Sequence, residues 1–172
     1  MVKMVEKKPE KHQHLLDVIA EERSSISDLA DCIHIEDPVC GECESEVTNL
    51  LDRCDRTRES LGPALFFLDQ YGYSGFSMEL VARILKHPMC ETFSYLNWQR
   101  MHPYFEDPDK ATSLTRALGG DEWRQIAPLQ GQERIQRFRL AYTSALRNRA
   151  GAKFVYDFAM RDDHHQLVFR QR

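Results

Sequence analysis

At 172 residues, with 42% apolar and 29% charged side chains, the chain has the length and composition of one soluble, core-bearing domain. No apolar run approaches the roughly 20 residues that span a bilayer, and the N-terminus lacks the apolar segment of a signal peptide. The net charge of -4 gives no overall case for nucleic acid, yet from Gly119 onward ten Lys+Arg face six Asp+Glu. That basic C-terminal third admits either solvated helix faces or a nucleic-acid-facing surface.

Met1 to Val5 is a short apolar stretch broken only by Lys3 and ended by Glu6, and it reads as a strand. Pro9 sits in a first helical turn, where its missing N–H costs little, and His12, Leu15, Leu16, Val18 and Ile19 carry the helix to about Arg23. After a polar connection, Cys32 to Ile35 is expected as a second strand, interrupted by Glu36-Asp37-Pro38. Val39 to Glu44 is a loop holding Cys40-Gly41-Glu42-Cys43, and Val47, Leu50, Leu51 and Cys54 trace a helix to about Arg56.

Gly62-Pro63 then introduces Ala64-Leu65-Phe66-Phe67-Leu68, stopped by Asp69. An unbroken apolar run between turn signals suits a strand buried on both faces. A Gly- and Tyr-rich loop follows, Gln70 to Gly75, and from Ser77 as N-cap the period becomes helical through Met78, Leu80, Val81, Ile84 and Leu85. His87-Pro88 stops that helix, and Cys90 to Leu96 is the next strand, with Asn97 at its end. Residues 1–97 thus read as βα repeats, which implies a parallel sheet with right-handed crossovers.

The remainder differs in character. Trp98 to Asp109 is an aromatic-rich loop, and helices are expected over 109–118 and 121–126, the second with Asp121 as N-cap and Trp123 as core anchor. Gly131 to Ala150 is a longer helix with Ile135, Phe138, Leu140, Tyr142 and Leu146 on apolar positions, closed by Gly151 at C′. Residues 152–172 read as a β-hairpin turning around Arg161 to His165. The whole is taken as a single domain, with 98–151 as its helical segment.

In open α/β sheets ligands bind outside the carboxyl ends of the strands. Asp69 and the loop after it are therefore the first candidate site, although an aspartate there also caps turns, and Tyr71 and Tyr73 serve equally as packing residues. Cys40-x-x-Cys43 at a helix start suits disulfide exchange, or, with Cys32 and Cys54, a four-thiolate zinc site. Against both, the spacings are not those of paired knuckles, so the cysteines are read as small buried or half-exposed residues and no metal is expected. His12 and His14 do not share a helix face, and His164-His165 falls on a hairpin tip. Five cysteines, an odd number, indicate reduced thiols and a cytoplasmic setting.

The runs FFLDQYGYSGFSMELVARIL, GGDEWRQ and RAGAKFVYDFAMRD, with the strand that ends in Asn97, resemble the three-Cys-motif partner protein family. That family's pattern has a buried strand ending in D-P-F-G-Y-S-G, a helix carrying M-E-L, a G-T-D-E-W element and an R-A-G-A-K hairpin. The match runs from about Val5 to Phe169. It implies a Rossmann-like, methyltransferase-like α/β fold: an open, mostly parallel sheet with a C-terminal antiparallel hairpin.

The resemblance also assigns roles. Glu6 falls on the acidic residue that accepts from the ribose hydroxyls of S-adenosylmethionine, although a carboxylate at a strand end also serves as a helix-dipole partner or stands solvated. Gly41 and Glu42 fall where adenine is contacted. Asp69 and Tyr71 occupy catalytic positions of a loop that holds a target amine, with Gly72, Tyr73 and Asn97 lining the substrate. Gln70 stands where the family has Pro, which removes a φ restraint. The family's first strand and its Gly-containing loop, which wrap the methionine part of the cofactor, have no counterpart here. The sequence therefore reads as a truncated member, a fragment with weak or absent cofactor binding. Two functions are expected from it: a methyltransferase-like enzyme acting on nucleic acid or a partner protein, or a non-catalytic protein-interaction partner that keeps the fold.

Overall fold

A computed structural model describes residues 1–25, 33–70, 76–96, 98–161 and 167–171. They form a mixed α/β protein with seven α-helices and two small sheets, divided into two units, Met1–Thr57 and Arg58–Arg172. Where one continuous parallel sheet is expected, the ladders form two.

In the first unit, β1 (Val5–Glu6) pairs in parallel with β2 (Val39–Cys40), Val5 facing Val39 and Glu6 facing Cys40. Upstream, Val2 bridges Ile35. The two expected strands, Met1 to Val5 and Cys32 to Ile35, thus give way to a shorter ladder set further along; Cys32 itself lies outside the described residues. The cause is local. Between the bridge and the ladder the second chain gains one residue, at Glu36-Asp37-Pro38, and Pro38 has no N–H to give. Pairing resumes as Val39 N–H donates to Met4 O at 2.9 Å and Gly41 N–H to Glu6 O at 3.1 Å.

Two helices complete this unit. α1 (Pro9–Ser25) begins at the proline, and α2 (Cys43–Thr57) starts earlier than the apolar period indicates. α2 buries Val47, Leu51 and Cys54, which share one face at helical spacing, and α1 contributes Ile19.

The second unit holds a four-stranded sheet of order β3-β4-β6-β5, built from β3 (Ala64–Gln70), β4 (Cys90–Leu96), β5 (Asp157–Arg161) and β6 (Leu167–Gln171). β3 and β4 run parallel, with Leu68 opposite Ser94 and Asp69 opposite Tyr95. β6 is antiparallel to both β4 and β5, so the C-terminal hairpin is present and its second strand lies innermost. β5 starts later than expected, at Asp157.

β3 is not buried on both faces. Leu68 is buried, but Leu65 and Phe67 are 60% and 62% exposed. The apolar run misleads because the strand lies at a sheet end, where Phe67 stacks on its cross-strand partner Phe93 with ring centroids 5.1 Å apart.

α3 (Met78–Leu85) starts as expected: Ser77 Oγ accepts from Leu80 N–H at 3.2 Å, and Met78, Leu80, Val81 and Ile84 are buried against β4 and the later helices. The expected loop after β4 is instead α4 (Trp98–Met101) followed by 3-10 turns at His102–Glu106 and Pro108–Lys110. Then come α5 (Ala111–Leu118), α6 (Trp123–Ile126) and α7 (Gly131–Asn148).

The core of this unit is aromatic, with Trp98, Phe105, Trp123, Phe138 and Tyr142 buried and in mutual ring contact. Three sequence expectations shift here. Leu140 is 65% exposed, outside the core. The cap of α6 is Glu122, with no side-chain cap bond, because the Asp121 carboxylate is taken by Thr115. α7 ends at Arg149 as C-cap, and Gly151, with φ 73°, turns the chain one residue beyond C′.

Candidate functional site

The first unit gathers Glu6, Gly41 and Glu42 at the carboxyl end of the β1–β2 pair. Gly41 N–H donates to the Glu6 carbonyl at 3.1 Å, continuing the ladder by one bond. Glu6 Oε1 accepts from Lys8 N–H at 2.8 Å, which ties the carboxylate to the turn that starts α1. Glu42 forms an ion pair with Lys7 at 2.5 Å, both side chains well exposed. A Cβ placed on Gly41 would meet Val39 and Glu46 only at ordinary contact distance, so the glycine is not demanded by local packing.

Flanking bonds hold this end of the unit. His12 Nε2 donates to Pro38 O at 2.9 Å, and Arg23 Nη2 reaches both Ile35 O at 2.6 Å and Asp37 Oδ1 at 2.9 Å. His12 is thereby a structural residue that steadies the proline interruption.

Cys40 and Cys43 flank the same turn as free thiols, as are Cys54 and Cys90. Burial raises the Cys43 thiol above its ordinary pKa, and Glu44 and Glu46 add to the rise. A redox nucleophile requires the opposite shift. No group of three or more His, Cys, Asp or Glu able to hold a metal occurs among the described residues.

In the second unit Asp69 stands exposed near the carboxyl end of β3, opposite Tyr95 and one row before Leu96. The strand continues past it to Gln70, so Asp69 does not terminate the strand. Tyr71, Gly72, Tyr73 and Asn97 lie outside the described residues.

Beyond β4 a cluster appears that the sequence reading did not single out. His102 stacks on Trp98 at 5.2 Å, and the Arg134 guanidinium lies 5.4 Å from the Phe105 ring centroid. Arg134 Nη2 reaches His102 O and Glu106 Oε1, each at 3.5 Å, while its buried Nε has no acceptor among the described residues. Burial lowers the His102 pKa; Arg134 lowers it further and Glu106 opposes both. The signal was present in the spacing: Trp98, His102 and Phe105 follow one another at helical intervals, which a loop assignment obscured.

The two segments GGDEWRQ and RAGAK meet through one ion pair. Arg149 binds Glu122 with both terminal nitrogens, one at 3.0 Å. Gly120 makes room for it, since a Cβ there would overlap the guanidinium. Gly119, at φ 74°, would place a Cβ 2.7 Å from Met78 Cγ. This Gly-Gly pair serves packing and does not form a phosphate or cofactor loop.

An open groove of about 790 Å³ runs along α7 beside α6, with Gln125, Ile126, Leu129, Arg137, Leu140 and Arg147 in its lining. None of the residues expected from sequence to form a site lines it. No helix among the described residues is long and apolar enough to cross a membrane. No protein-family model, curated protein or solved structure matches the chain.

Proposed function

We propose that the chain is a methyltransferase-like, Rossmann-type protein of the three-Cys-motif partner kind, acting in the cytoplasm, and that its residues supply the adenosine end of an S-adenosylmethionine site without the methionine end. The observation that carries this reading is the convergence of Glu6, Gly41 and Glu42 at the carboxyl end of the parallel β1–β2 pair. A carboxylate there accepts from two adjacent ribose hydroxyls at once. The innermost antiparallel strand of the C-terminal hairpin supports the same reading, because that fold carries its antiparallel member there.

The donor set fits one half of the cofactor. Glu6 suits the ribose, and Gly41 with Glu42 suits the base. When bound, the cofactor would supply an electrophilic methyl group. Asp69, at the end of β3, would hold the acceptor amine and take up its proton.

Each missing charge-assisted hydrogen bond is worth roughly 1.5–3 kcal/mol, and three of them cost about three to six orders of magnitude in affinity. Calorimetric titration of the chain with S-adenosylmethionine should therefore give a dissociation constant no tighter than about millimolar. Micromolar binding would overturn the claim of a half site. Glu6→Ala should weaken the millimolar binding further, and Asp69→Ala should leave it unchanged.

A second reading, a non-catalytic protein-interaction partner, is favoured by Leu65 and Phe67, which stand exposed on an end strand. If the chain binds no S-adenosylmethionine at any concentration, this reading takes precedence.

A further inference from the structure

We infer that the segment between α7 and β5 is a stacking platform for single-stranded nucleic acid, with Phe154 and Tyr156 as its rings. This inference does not depend on the methyltransferase reading. Phe154 is 76% and Tyr156 64% exposed, the most exposed aromatic side chains among the described residues, and the chain enters the sheet just after them at Asp157. They are two residues apart, and the residues between and after them, Val155 and Asp157, are half-buried. In extended backbone such a pair shares one side, with Cα atoms roughly 6.5–7 Å apart, which gives each ring room for its own base.

The platform is held before any ligand arrives. Ala152 N–H donates to Leu146 O at 2.9 Å, Arg147 Nη2 donates to the Val155 carbonyl at 3.4 Å, and Arg139 grips the Asp157 carboxylate with two nitrogens. A backbone tethered in this way loses little freedom on binding.

Charge selects the partner. From Arg147 to Tyr156 the chain carries no carboxylate; of its three cations Arg149 is paired with Glu122, which leaves Arg147 and Lys153 for a phosphate backbone. Asp157, which follows, is neutralised by Arg139. Arg147 also lines the groove along α7, where Arg137 follows it and Glu133 opposes it. Cations beside exposed rings suit a phosphate backbone whose bases are unpaired, since each base offers a π-face and tolerates any sequence. A protein partner is the poorer fit, because the centres of protein interfaces are depleted of lysine.

The test is fluorescence anisotropy of the full chain with a labelled oligothymidylate, compared with a labelled duplex of equal length. The single strand should bind more tightly than the duplex, whose bases are already stacked. Affinity should fall with salt at a log–log slope of about -1.4, for two phosphate contacts on a single strand. Phe154→Ala and Tyr156→Ala, both on exposed side chains, should each weaken binding about fivefold to hundredfold. Lys153→Glu should weaken it and flatten the salt slope, while Met89→Ala, on a different exposed site, should change nothing. Equal binding of single strand and duplex, or binding indifferent to both ring substitutions, would overturn the platform. So would self-association of the chain that the ring substitutions abolish, which would make the surface a protein contact instead.

Discussion

The two units solve the same problem with different means. Arg58–Arg172 has a four-stranded sheet and a core of five mutually touching aromatic rings, whereas Met1–Thr57 has two strands of two residues and a core of Ile19, Val47, Leu51 and Cys54. A two-stranded ladder is marginal by itself. In the first unit the load passes to side-chain bonds, His12 to Pro38 and Arg23 to Ile35 and Asp37, to the exposed pair Lys7–Glu42 and to the half-buried pair Lys3–Glu46. Exposed pairs contribute little each. The residues assigned to the adenosine end therefore sit on the less deeply buried of the two frameworks, and the bulk of the packing belongs to the unit that carries Asp69.

The sharpest way to break that comparison is a pair of truncations. Phe138 is 1% exposed and touches Trp98, Phe105 and Tyr142, so Phe138→Ala should cost about 3–5 kcal/mol. Leu51, also 1% exposed, sits in the smaller core, and Leu51→Ala should cost about 2–3 kcal/mol, the low end for such changes, because fewer neighbours surround the cavity. Urea unfolding with hydrogen exchange resolved by segment checks both. Exchange should accelerate over β3, β4 and α7 in the first variant and over α1 and α2 in the second. Equal costs, or acceleration spread over the whole chain in both cases, would show that the two cores do not differ as described.

A smaller effect is expected at Gly120. Any side chain there must displace the Arg149 guanidinium from Glu122, and because the atoms struck are the flexible ends of a part-exposed ion pair, Gly120→Ala should cost about 0.5–1 kcal/mol. Arg149→Ala in the same background should recover part of that loss, since it removes the group that is struck. An Ala substitution that leaves the urea midpoint unchanged would show that the ion pair yields freely and does not join the two segments.

Much of the second unit was legible in the sequence, and the reasons are physical. Ser77 capped α3 because a short hydroxyl before a 3.6-residue apolar period has one good use. Cys90–Leu96 and the C-terminal hairpin were readable because their lengths and turns left no rival. The burial of β3 was not readable: an apolar run reports β-propensity, and only the sheet order, which places β3 at an end, decides what covers it. The first unit was harder still. Its ladder is set by where Pro38 lets pairing resume, a register effect that neither composition nor periodicity carries. For the candidate site, Glu6 could be read as a strand-end carboxylate, Gly41 and Glu42 were singled out only through the family resemblance, and the His102–Arg134 cluster stayed hidden inside a segment taken for loop.

The smallest effect is one of pH, and it sharpens the comparison from the aromatic side. His102 lies against Trp98, and burial holds its pKa below the ordinary 6.5, with Arg134 adding to the fall and Glu106 working against it. In the unfolded chain the imidazole titrates at its ordinary value, so between the two pKa values the unfolded state binds more protons. Stability must then rise with pH across that window and be lost as the solution is acidified below 6.5. Asp121 and Glu122 have the opposite reference: Thr115 depresses the first and Arg149 the second, so their contributions are retained until far lower pH. The histidine window opens first on acidification, and a shallow decline beginning near 6.5 is its signature. His102→Gln keeps a polar side chain of similar reach and removes the titration. Urea midpoints measured for parent and variant at intervals from neutral pH downward should converge as the pH falls, the parent losing more. Parallel curves would place the titrating group elsewhere, and would leave the packing of His102 against the aromatic core without an electrostatic consequence.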